Sequence, residues 1–280
     1  VVFDTWESYF YPETINALGG GTLRNKFDER DFFELKEREY GRTARRAFEL
    51  ETGRVQIPRT FDGQHMKAIH RHLFQDVYEW AGEYRTVNMS KGAGRGFGDV
   101  TNGELDRYVA DVHRLVTSTD WAQLERKDFL AHSATVFAYV NQAHPFREGN
   151  GRTSTVFMQH VAEQSRFAFD YARVTPEVWN QGSALSGPDL YSYAPDPTSL
   201  VPVFDAITVE RRTAPPTTGR AEGLEAVRRA QSGLAAPGSR SPLSSPDVRR
   251  DTPPAGGPSS RGRSPYLPGA RYGTDQGSGR

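Results

Sequence analysis

The chain has 280 residues, 36% of them hydrophobic and 11% aromatic, which suffices for a core over at least part of its length. Lysine plus arginine number 35 and aspartate plus glutamate also 35, a balance that argues against a generally basic nucleic-acid binder. Cysteine is absent, which excludes disulfides, thiolate metal sites and cysteine nucleophiles; no apolar run approaches membrane-spanning length, and a cytoplasmic location is expected.

In chain order, Met66, Ile69, Leu73, Phe74 and Val77 recur at helical spacing and predict a first amphipathic helix. Three histidines share this segment, but His65, His70 and His72 do not fall on one face, so they read as helix-surface or core residues, not as a metal set. Tyr84 to Ser90, YRTVNMS, is β-rich and runs into KGAGRGFG, which predicts a hairpin or extended flap with Trp80 packing its start. Leu105, Tyr108, Val109, Val112 and Leu115 predict a second helix. Phe129, Val136, Phe137 and Val140 predict a third, and Val156, Phe157, His160 and Val161 a fourth. Thr175, Pro176 and Glu177 have the form of an N-cap with proline at the first helical position, opening a further short helix. Residues 232–280 contain eight Pro, nine Gly and nine Ser, with seven arginines against three aspartates; this basic tail cannot bury enough apolar surface to offset ordering entropy and is expected to be disordered. The rest of the chain is accordingly mildly acidic.

The loop between the third and fourth helices, HPFREGNGR at residues 144–152, concentrates the chemistry. Gly149, Asn150 and Gly151 at a helix N-terminus leave backbone N–H groups unpaired and form an anion cradle. Arg152 in the first helical turn opposes the helix dipole, which a phosphate ligand would explain. Glu148 among these groups would repel a bare phosphate; a Mg²⁺ ion between carboxylate and phosphate oxygens resolves the conflict and points to a magnesium nucleotide. The histidine side chain is of the type that takes up a proton near neutral pH, so His144 suits a general base, and Pro145 ends the preceding helix at it. Phe146 reads as a packing anchor and Arg147 as a solvated charge. The same spacing also fits a capping histidine and a plain glycine turn.

HPFREGNGR resembles the signature of the Fic family, His-x-Phe-x-(Asp/Glu)-Gly-Asn-Gly-Arg, and the stretches YFYPETINAL, FDGQHMKAIHRHLFQDVYEWAGEYRTVNMSKG and FLAHSATVFAYVNQAHPF are similar to the family's preceding segments. The resemblance runs over roughly residues 9–205 and implies an all-α, Fic-type helical domain over residues 1–212 with a small β-hairpin flap. It implies transfer of AMP from ATP to a Ser, Thr or Tyr hydroxyl of a target protein, with ATP and Mg²⁺ as cofactors. On that resemblance His144 is the general base and Glu148 the Mg²⁺ ligand. Asn150, with the backbone of Gly149 and Gly151, fixes the α-phosphate, and Arg152 neutralises the departing diphosphate. The flap, Tyr84, Arg85, Thr86, Val87, Asn88, Met89, Ser90 and Lys91, with Phe97 at its far end, docks the target by strand pairing.

One position departs from the fuller signature, which continues to a second arginine three residues after the first and facing the same site. Thr155 stands there, removing a bidentate phosphate donor. Two alternatives to AMP transfer follow: movement of phosphate or another phosphorus-containing group, and an inactive target-binding module. Thr218, Glu222 and Gly223 match the family's inhibitory pattern (Ser/Thr)-x-x-x-Glu-(Gly/Asn), within a short helical stretch over 213–231. Without the second arginine Glu222 lacks its expected partner, and a separate small antitoxin, in a toxin–antitoxin pair, is the arrangement expected instead.

Overall fold

The computed structural model describes residues 1–90 and 96–211, and seven α-helices dominate them. They are α1 (Phe32–Glu51), α2 (Gly63–Phe74), α3 (Glu104–Thr117), α4 (Arg126–Ala143), α5 (Asn150–Ala162), α6 (Pro176–Leu185) and α7 (Val201–Ile207). Lys91, the candidate inhibitory residues Thr218, Glu222 and Gly223, and the Pro/Gly/Ser-rich tail lie outside the described residues. No helix among those described is long and apolar enough to cross a membrane.

Helix α4 is the hub, packing against α3, α5 and α7. Its buried residues, among them Phe129, Val136, Phe137 and Val140, wrap around most of its circumference, so it reads as a core helix rather than a surface one. The Thr175 hydroxyl accepts from Val178 N–H at the start of α6, with Pro176 in the first turn, as the sequence predicts. Helix α2 stops at Phe74, and Val77 reaches the same core from the turn beyond it.

Helices α1 and α7 and one strand pair are not predicted by periodicity. Helix α1 is capped by Asp31, whose carboxylate accepts from Phe33 and Glu34 N–H at 2.8 and 3.0 Å. Its inner face is Leu35, Glu39, Thr43, Ala47 and Leu50, and the two polar members of that row hide its apolar stripe. The only sheet among the described residues pairs β1 (Phe167–Phe169) with β2 (Thr208–Glu210), antiparallel, Ala168 opposite Val209. Among the described residues the predicted flap contains no strand: Tyr84–Ser90 is extended with a bend, and Phe97 N–H donates to Met89 O at 2.9 Å.

The α2 histidines divide by depth. His65 and His70 are fully buried, whereas His72 sits half-buried against the Arg46 carbonyl and Glu49. His65 Nδ1 accepts from Phe61 N–H, so its Nε2–H donates to His160 Nδ1 at 2.8 Å, joining α2 to α5 through two neutral rings. A proton added to either acceptor nitrogen would break one of these bonds. Burial holds His65 down to about 4 and His160 to about 2, against about 6.5 for an unfolded histidine. Between these values the unfolded chain binds more protons, so stability falls as pH drops from about 6.5 towards 4. Thermal melts at pH 7.5 and 5 should show a lower Tm at pH 5. His160→Gln, which keeps an acceptor for His65, should shrink that difference; an unchanged difference would count against the pair.

Candidate active site

The loop from His144 to Gly149 connects α4 to α5 and is held from three sides. Helix α4 ends as His144 turns into the left-handed region at φ 40°, its N–H still donating to Val140 O. Such a backbone state is costly for a residue other than glycine and persists only where the surroundings fix it. Arg85 does so here, since its Nε donates to His144 O at 2.9 Å while Arg85 N–H donates to Pro145 O at 2.8 Å. The same guanidinium bonds Val87 O at 2.8 Å and Gly98 O, so it also ties together both arms of the flap. Arg85 is 3% exposed and burial lowers its pKa to about 10; it is an internal clasp and not a target-facing flap residue.

His70 holds the second side. Its Nδ1 accepts from Gly82 N–H at 2.8 Å, which leaves Nε2–H to donate to the Glu148 carbonyl at 3.0 Å, and its ring stacks on Phe146 at 3.9 Å. Phe146 is thus the packing anchor expected. The third brace is internal: Asn150 Oδ1 accepts from Phe146 N–H and its Nδ2 donates to Phe146 O, at 2.9 and 2.7 Å. The Asn150 amide therefore shapes the loop, and the residue also lines the cavity described next.

Gly149 caps α5 at φ 81°, and a Cβ there would lie 2.2 Å from the Phe74 ring. The N–H groups of Asn150, Gly151 and Arg152 follow in the first turn, where a helix offers no intrahelical acceptor. They face a cavity of about 130 Å³ whose wall includes His144, Glu148, Thr153 and Ser154. Met89 and Ser90 complete it from the flap, and Trp179, Asn180 and Ser183 from α6. Of the remaining flap residues, Tyr84 packs on Phe146, Thr86 bonds the N-terminal segment at Phe3 O, Asn88 accepts from Val100 N–H and Val87 packs on the core. The His144 ring lies flat on Phe97, 3.8 Å between centroids and 7° between planes.

One arginine of the loop, Arg147, is placed differently from expectation. Arg147 is not solvated: it is 4% exposed, and its guanidinium stacks over Trp6 at 3.8 Å with Phe10 and Tyr9 nearby, so burial lowers its pKa to about 10. Nothing local in the sequence signals this, because the aromatic residues arrive from the far N-terminus. Arg152 is also buried, with the Tyr40 and Phe74 ring centroids 4.9 and 4.6 Å from its guanidinium, and its Nη2 donates to Glu39 of α1 and, at 3.4 Å, to Glu148 Oε1. Arg147, Glu148 and Arg152 also line a second cavity, of about 470 Å³, bounded by α1 and the N-terminal segment. Thr155 lines neither cavity. It opens on a groove of about 300 Å³ beside Leu50 and Glu51, its hydroxyl donating to Gly151 O.

The sequence model of the Fic/DOC family matches residues 60–162. A probable protein adenylyltransferase, y4lH of Sinorhizobium fredii, is 36% identical over 162 residues, 57% of this chain and 80% of that protein. The chain belongs to the Fic/DOC family. The Fic chain is also 33% identical over 181 residues to protein adenylyltransferase VbhT of Bartonella schoenbuchensis, which covers 64% of this chain but only 36% of that protein. Among solved structures, the N-terminal Fic domain of a putative cell filamentation protein from Bartonella quintana, with bound ADP, superposes with TM-score 0.63 at 26% identity, covering 74% of this chain and 96% of that one. BepC of Bartonella tribocorum, with bound AMPPNP, has the same fold at TM-score 0.62 and 22% identity, covering 74% and 98%.

The Fic loop of this chain suits a nucleotide-borne cation better than a resident one. No group of three or more His, Asp, Glu or Cys side chains that could hold a metal ion occurs among the described residues. Glu148 supplies a single carboxylate with 37% side-chain exposure, and its contacts to Gly149 N–H and Arg152 both fall on Oε1, so Oε2 is open to a ligand. One carboxylate beside an anion-binding helix end is the donor set magnesium takes when phosphates and water complete its shell.

Proposed function

We propose that the chain transfers AMP from ATP to a hydroxyl side chain of a target protein. The observation that carries this is the convergence on one cavity of an imidazole, a carboxylate and a helix N-terminus, His144, Glu148 and the first turn of α5. The target oxygen attacks the α-phosphorus, the bond to the bridging oxygen breaks, diphosphate leaves, and His144 takes the hydroxyl proton. First-turn N–H groups stabilise the charge that develops on the α-phosphate. Glu148 would hold Mg²⁺ through Oε2, and the ion would neutralise phosphate charge there. The relatives named protein adenylyltransferase support this reading, as do the ADP and AMPPNP in the structural neighbours. Met89 and Ser90, at the edge of the cavity, would meet the target backbone.

Incubation of the protein with a lysate and ATP labelled at the α-phosphate tests the reading. Label on a protein target supports it, and retention of γ-label on the target would show phosphate transfer instead. The missing second arginine bears on the donor. A side chain from position 155 enters the groove beside Glu51, so Thr155→Arg is expected to change ATP affinity by no more than about threefold, the scale of a partly exposed ion pair. A calorimetric gain of tenfold or more would show that the arm reaches the phosphates.

A further inference from the structure

Resting on the nucleotide reading above, we propose that Glu39 is a positioning residue of the donor site, one that draws Arg152 away from Glu148 so that Glu148 keeps an oxygen for the nucleotide's divalent cation.

Arg152 is the only cation within hydrogen-bonding distance of Glu148 among the described residues, and it stands in the first turn of α5, four residues after Glu148 in the loop. Left alone, a guanidinium so placed would chelate the carboxylate through two N–H groups, the preferred geometry of this pair. It does not. Arg152 Nη2 donates to Glu39 Oε1 and reaches Glu148 only at 3.4 Å, while Nη1 donates to Thr43 Oγ1 at 3.2 Å. Glu39 is itself fixed, because its second oxygen accepts the Tyr78 hydroxyl. Both partners are more than nine-tenths buried, and rings lie close on the guanidinium, so the arrangement is held by packing as well as by charge. Glu39 also bounds the second cavity together with Arg152 and Glu148, which places its carboxyl beside both groups that would meet the nucleotide.

Two effects follow from one side chain, and they separate a positioning role from a merely structural one. Glu39→Gln keeps the shape but removes the charge. Arg152 then turns to Glu148 and occupies the cation's oxygen, while the site as a whole becomes less negative. Calorimetry on the full chain should show ATP in EDTA binding about tenfold tighter than to wild type, and the Mg²⁺ concentration that half-saturates ATP binding rising about tenfold. Glu39→Asp keeps the charge and shortens the reach, so it should raise the Mg²⁺ requirement without tightening metal-free ATP. A Mg²⁺ response within about twofold of wild type in Glu39→Gln would overturn the proposal. If that variant does not fold, the same result in Glu39→Asp overturns it. Failure of wild type to bind ATP at all would instead overturn the transfer reading.

Discussion

His144→Ala should reduce adenylyl transfer by about 10²- to 10⁴-fold, the range for loss of a positioned general base, while ATP affinity stays within about threefold of wild type. The split follows from where the histidine sits. Its backbone is held by Arg85 on its carbonyl, by the α4 bond to Val140 and by Pro145 after it, none of which uses the imidazole. The first turn of α5 and Glu148, which would carry the nucleotide, are braced separately by Asn150 and His70. What the substitution removes is the ring on Phe97 and with it the proton acceptor. Single-turnover incorporation of α-label, set beside calorimetric binding, checks both halves. Transfer within tenfold of wild type would move the base to another residue.

Gly149→Ala should cost about 2–4 kcal/mol of stability, and transfer should fall with it. Two independent penalties add. A left-handed backbone disfavours any residue with a Cβ by about 1 kcal/mol, and a methyl forced into a packed ring costs about 1–3 kcal/mol more. The ring is that of Phe74, whose carbons would lie 2.2 and 2.3 Å from the new Cβ, so the loop must lift away from α2. Lifting it separates the Glu148 carbonyl from His70 and tilts the first turn of α5. Denaturant melts of Gly149→Ala and of Gly149→Ala with Phe74→Leu should differ, because the smaller side chain relieves the collision but not the dihedral. Equal stability of the two would mean that backbone strain alone is at work.

The sequence reading reached the site more surely than it reached the roles within it. Helices α2 to α6 announce themselves by apolar spacing or by the Thr175–Pro176 cap, and the loop they bracket is where the structure puts it. Helix α1 escaped because Glu39 and Thr43 occupy positions where a periodicity test expects apolar residues, and they are there to meet Arg152. The strand pair β1–β2 joins segments far apart in the chain, each three residues long, so neither has a local pattern to find. Arg147 and Arg85 were misplaced for a shared reason: a guanidinium can be buried when rings or carbonyls from elsewhere surround it, and sequence shows only the charge. Asn150 illustrates the remaining gap, since its side chain serves the loop backbone of Phe146.

Arg85 has a consequence for how a target would be chosen. One buried guanidinium spans the carbonyls of Val87 and Gly98 on the flap and of His144 at the base. The distance from a docked main chain to the imidazole is therefore set before any partner arrives. Selection under the proposed activity becomes a matter of reach: a hydroxyl on a stem of the right length arrives at the α-phosphorus, and one held a bond too near or too far does not. Under the proposed activity the flap would work as a measuring edge, reading the length of a side chain and not the letters around it.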